Sequence, residues 1–86
     1  HRALELMGTA QRRLRDFKAA VATFRRLLSM DPADQDLILR VLFELAVTYE
    51  VVGKERSAQS LYRKITQLSP GYRDGEVAKR LERLEG

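Results

Sequence analysis

The stretch Asp36–Gly53, DLILRVLFELAVTYEVVG, constrains the fold more than any other part of the chain. Between Leu37 and Val52 only Arg40, Glu44, Thr48 and Glu50 carry strongly polar side chains. The first three recur at every fourth residue, so on a helix they form one narrow stripe. The rest of the circumference is apolar and has to be covered by other elements, yet the run is too polar to span a membrane. Gly53 stands where such a helix can end in a left-handed turn. The expectation is an all-α stack around a central helix, with any binding site beside its polar stripe.

At 86 residues, 44% hydrophobic and 33% charged, the chain fits one small domain over residues 1–86. A domain of this size buries only about 60–65% of its unfolded surface, so each helix needs neighbours on more than one side, and stacking supplies them. With no cysteine there are no disulfides, no thiolate metal site and no cysteine nucleophile. A helical domain of that kind is expected in the cytoplasm. The opening His1-Arg2-Ala3-Leu4 lies inside an apolar pattern without an N-cap, and reads as a piece of a longer protein. The net charge is +4, but 12 acidic residues are scattered among 16 basic ones with no long run of one sign, which argues against a dedicated nucleic-acid-binding chain.

Periodicity divides the remainder into further helices. From Arg2 to Leu14, Ala3, Leu6, Met7, Ala10 and Leu14 fall on one side and Arg2, Glu5, Thr9, Arg12 and Arg13 on the other, with Leu4 widening the apolar face. Asp16 can cap a second helix bearing Phe17, Ala20, Val21, Phe24, Leu27 and Leu28. Asp31-Pro32 breaks that pattern, and the central helix is expected from about Asp34 to Val52. A fourth helix carries Ala58, Leu61, Tyr62, Ile65 and Leu68 and stops at Ser69-Pro70-Gly71. A fifth, from about Asp74 to Glu85, has one apolar side formed by Val77, Ala78, Leu81 and Leu84, as a capping helix should.

The first helix pair maps onto the second. Leu4, Met7, Gly8, Gln11, Ala20, Phe24 and Pro32 correspond in order and spacing to Leu42, Leu45, Ala46, Tyr49, Ala58, Tyr62 and Pro70. Antiparallel helices approach closely only where the crossing residues are small, which Gly8 with Ala20 and Ala46 with Ala58 provide, while the large members fill the space around them.

These residues resemble the tetratricopeptide repeat, with its large residue, leucine-glycine, tyrosine, alanine, aromatic and proline positions. The resemblance implies antiparallel helix-turn-helix repeats at about 1–32 and 34–70 and a capping helix at about 74–85, stacked as a short right-handed solenoid of about five helices. Gln11 departs from the pattern where the family has tyrosine, and the copies lie 38 residues apart instead of about 34. Four extra residues are about one helical turn, so faces stay in register.

Nothing in the sequence assembles catalytic chemistry, a metal site or a cofactor site. The one histidine is residue 1, and Gly53-Lys54 lacks the upstream glycine and following hydroxyl residue of a phosphate loop. The resemblance implies instead a non-enzymatic scaffold that binds a protein or peptide, or another copy of itself, through the concave face formed by the first helix of each repeat. By matching positions that face presents Arg2, Glu5, Thr9, Arg12 and Arg13 from the first repeat and Arg40, Phe43, Val47, Glu50 and Val51 from the second. Phe43, Val47 and Val51 are apolar there, and are expected to form a partly exposed strip rimmed by charge. Family members that clamp a chaperone's C-terminal carboxylate use lysine and asparagine on the first helix, where this chain has Glu5 and Thr9, so that use is not supported. The alternative reading is an arginine-rich nucleic-acid-binding domain centred on Arg12, Arg13, Arg15, Arg25 and Arg26.

Overall fold

In the computed structural model, which describes residues 1–86, the apolar run folds as the longest helix, α3 (Gln35–Val51). The other helices are α1 (Arg2–Arg13), α2 (Phe17–Ser29), α4 (Glu55–Leu68) and α5 (Glu76–Glu85), with no strand. Local chemistry sets the ends. Asp34 Oδ1 accepts the Leu37 N–H at 3.2 Å to start α3, and Asp16 Oδ1 accepts the Ala19 N–H at 3.3 Å to start α2. Gly53 ends α3 with φ of 84°, which lets the Lys54 N–H donate back to the Tyr49 carbonyl at 2.8 Å. The same closure ends α1, where Arg15 takes the left-handed conformation with φ of 64° and the Asp16 N–H donates to the Gln11 carbonyl at 2.9 Å. Arg15 and Gly53 stand in corresponding places of the two hairpins.

The helices form two antiparallel hairpins, α1–α2 and α3–α4, with α2 packed on α3 and α5 laid on α4. α3 supplies the core on both sides. Its Leu37, Val41 and Leu45 pack with Ala20, Phe24 and Leu27 of α2, and its Leu39, Leu42, Phe43 and Ala46 pack with Ala58, Tyr62 and Ile65 of α4 and Val77 of α5. In the first hairpin Gly8 lies against the Phe24 ring so closely that a Cβ would stand 2.5 Å from Phe24 Cε1. The departure at Gln11 also has a structural answer. Gln11 Oε1 accepts the hydroxyl of buried Thr23 at 2.6 Å, a polar pair where the second hairpin has Tyr49 and Leu61 packed against the core.

Two expectations about faces are corrected. Leu6, Met7 and Leu14 of the expected core face of α1 are 57%, 43% and 81% exposed, and Ala3 and Ala10 are exposed with them. The inward side is instead the one bearing Leu4, Gly8 and Gln11. The close crossing at Gly8 sets the rotation of α1, and the summed apolarity of its faces does not. The corresponding side of α3, with Val41, Leu45 and Thr48, is buried because α2 covers it, and no helix of the chain takes that place on α1. Thr48 likewise leaves the expected polar stripe: it is fully buried, its hydroxyl donating to the Glu44 carbonyl at 2.7 Å one turn back.

After Ser69 the chain makes a 3-10 turn over Tyr72–Gly75, in which Arg73, Asp74 and Gly75 take left-handed φ angles of 54°, 56° and 83°. This turn carries Tyr72 and α5 back across α3, a placement that determines what the candidate site exposes.

Candidate functional site

The side of α3 carrying Arg40, Glu44, Val47 and Val51 adjoins the charged side of α1, and the charges pair across the two helices. Glu5 accepts two hydrogen bonds from the Arg40 guanidinium, Nε at 2.8 Å and Nη2 at 3.3 Å, with Arg2 3.7 Å away. Arg12 Nε and Glu44 Oε2 approach to 2.7 Å, an ionic contact in which the N–H is not aimed at the oxygen. These two pairs tie α1 to α3 where the backbones themselves scarcely touch.

The Arg40 hydrogen bond is the largest influence on Glu5 and holds its carboxyl below the ordinary value of 4.5. A carboxylate whose folded-state pKa is depressed contributes stability that is present above its unfolded pKa and is lost as pH falls through the folded-state value. Glu5→Gln should therefore lower stability at neutral pH by about 0.5–1 kcal/mol, the range of a partly exposed pair, and the difference from the parent should vanish in acid. Thermal melts of both proteins across the range below pH 4.5 check this.

Phe43 does not join an exposed strip. It is only 8% exposed, its ring 6.4 Å from the Tyr62 ring and 6.4 Å from the Tyr72 ring. The Arg73 and Arg80 guanidinium groups lie 4.3 and 5.7 Å from its centroid. Glu50 is also held inside the fold. Its Oε1 accepts the Tyr62 hydroxyl at 2.7 Å and Arg80 Nη1 at 3.4 Å, and its Oε2 accepts Arg83 Nη2 at 3.3 Å. Burial first, and then the bond to Glu50, push the Tyr62 phenol well above its ordinary 10.0. Glu76 accepts from both Arg73 and Arg80, at 2.9 and 3.0 Å, and these bonds hold its carboxyl below the ordinary 4.5.

What the expected site leaves accessible is therefore smaller than the sequence suggests. Arg13 is exposed and makes no ion pair, Val51 is 54% exposed, and Val47 and Thr9 are half-buried, with Val47 resting on the second core. Sequence reasoning missed Tyr72, Arg73, Arg80 and Arg83, which α5 and its turn bring against Phe43 and Glu50. The only local signal was the spacing of Arg73, Glu76, Arg80 and Arg83 on successive turns. The five arginines of the alternative reading do not form one patch: Arg12 pairs with Glu44, Arg15 lies 5.4 Å over the Phe17 ring, and Arg25 faces a cleft beside α4. No group of three or more His, Cys, Asp or Glu side chains converges in a metal-binding arrangement, and no helix is long and apolar enough to cross a membrane.

The architecture is that of a helical-repeat protein. The sequence profile described as tetratricopeptide repeat matches residues 1–34. That match covers the first hairpin, so residues 1–34 are similar to a tetratricopeptide repeat. No curated protein and no solved structure gives a significant match. Tetratricopeptide repeats mediate protein–protein interaction and assembly, and the family is typically non-enzymatic.

Proposed function

We propose that this chain is a protein-interaction module made of two repeats, about 1–32 and 34–70, closed by α5, and that it binds a peptide along the joint face of α1 and α3. The observation carrying this reading is how the charges on that face are distributed. Glu5 with Arg40, and Arg12 with Glu44, neutralise each other and fix the two helices, while Arg13 is exposed and unpaired, Val51 is exposed, and Thr9 and Val47 are half-buried. A short segment with an aliphatic anchor beside a carboxylate complements that combination, the anchor meeting Val47 and Val51 and the carboxylate meeting Arg13. Arg2, Glu5, Arg12, Arg40 and Glu50 act on this reading as the rim and brace of the site, and Phe43 as its buried support.

Selection from a random peptide library against the whole chain tests the reading. Selected peptides should share an aliphatic residue next to an acidic one, and Val51→Asp or Arg13→Glu should weaken them about tenfold or more at unchanged melting temperature. Peptides that bind both variants as well as the parent would place the site elsewhere.

A further inference from the structure

We propose a second docking surface on the opposite side of α3, a cleft between α2 and α4 that takes an acidic amphipathic helix. On α3 the residues facing this cleft, Leu42, Leu45 and Tyr49, lie half a turn around the helix from Arg40, Glu44, Val47 and Val51, so the two surfaces share no residue. The cleft has a volume of about 730 Å³. Its accessible floor is apolar, formed by the half-buried Leu28, Tyr49 and Leu61. A smaller hollow of about 330 Å³, also lined by Tyr49, lies between the start of α2 and the end of α3.

Charge identifies the occupant. Arg25, Arg56 and Lys64 line the cleft and Lys18 and Lys54 line the hollow, and neither has an acidic residue in its lining. None of these five cations takes part in an ion pair, and the nearest carboxylate in the sequence, exposed Glu55 between Lys54 and Arg56, lines neither cavity. A row of unneutralised like charges around an apolar floor is relieved by a partner of opposite sign and selects against others. The shape adds the secondary structure: the walls are two helices, the floor is a third, and Ser57 and Ser60 are small enough along the α4 wall for another helix to lie close. Bases of a single-stranded nucleic acid would need exposed aromatic faces for stacking, and the one aromatic residue of the cleft, Tyr49, is half-buried.

The probe is a stapled helical peptide with leucines at i, i+3 and i+7 and glutamates elsewhere, titrated into the whole labelled chain at physiological ionic strength. The expected result is saturable binding that shifts the amides of Leu28, Tyr49, Ser60 and Leu61. Arg56→Glu combined with Lys64→Glu should weaken it about tenfold or more with the melting temperature kept, and a peptide of the same composition with its leucines spread around the helix should bind comparably weakly. Val51→Asp should leave this binding unchanged, which separates the proposal from the peptide site on the other face. Equal binding of the spread-leucine peptide or of an oligothymidylate, shifts gathered around Val47, or indifference to the charge reversal would each overturn it.

Discussion

Phe43→Ala should destabilise the protein by about 3–5 kcal/mol, the range for removing a buried aromatic ring. Phe43 is 8% exposed and is the piece of α3 on which the C-terminal part of the chain is laid: Tyr62 of α4, Tyr72 of the turn, and Arg73 and Arg80 all meet its ring. Removing it leaves a cavity and takes the aromatic face from two cations at once. For a small domain holding only about 5–15 kcal/mol in total, that is a large share, and each kcal/mol moves the melting temperature by about 4–8 °C. The damage should be greatest at α5, because that helix then keeps only one fully buried side chain, Val77, with the Gln59 bond to the Leu84 carbonyl and partly exposed ion pairs from Arg80 and Arg83 to Glu50 and from Arg63 to Glu85. Thermal melts together with amide hydrogen exchange in Glu76–Glu85 check both parts. A loss below about 1 kcal/mol would mean that the ring is not covered.

Gly8→Ala should also destabilise, against the usual direction of that substitution in a helix. Propensity alone favours alanine by about 1 kcal/mol at an interior helical position. Here the added Cβ would lie 2.5, 2.8 and 2.8 Å from three atoms of the Phe24 ring, and Phe24 is fully buried among Ala20, Leu27, Val41 and Leu45, so the ring has nowhere to move. Separating α1 from α2 or tilting the ring costs about 1–3 kcal/mol, enough to reverse the propensity gain. Phe24→Leu introduced with Gly8→Ala should cost less than the two changes added separately, since the clash they share is removed. Equal or greater stability of Gly8→Ala in urea denaturation would show that the crossing is not at Gly8.

The two variants probe what was and was not legible in the sequence. Helix boundaries were readable because their causes are local: Asp16 caps α2, Asp34 caps α3, and Gly53 supplies the left-handed residue after α3. The close crossing at Gly8 was readable from the repeat, although the sequence pattern sets it against Ala20 with Phe24 filling the space around it, whereas the side chain nearest Gly8 is Phe24. The outward side of α1 was not, since Leu6, Met7 and Leu14 outweigh one glycine in any average over a helix face, yet the glycine decides which side can approach α2. Phe43 and Glu50 were misplaced for a different reason. Apart from Tyr62 on α4, their covers lie 29 to 37 positions further on and are delivered by a turn that Gly71 and Gly75 mark, but whose path depends on left-handed Arg73 and Asp74 between them. Ion pairs such as Glu5–Arg40 escape sequence reading in the same way, because nothing local marks a carboxylate as matched to a guanidinium 35 residues away.

Amide chemical-shift mapping of a library-selected peptide on the labelled chain tests the central claim, that the joint face of α1 and α3 is where this module binds a peptide. The predicted result is a cluster of perturbed amides around Thr9, Arg13, Val47 and Val51, with Leu28 and Leu61 on the far side of α3 unmoved by the same peptide. Perturbations confined to α2 and α4, with Val47 and Arg13 silent at saturation, would contradict it.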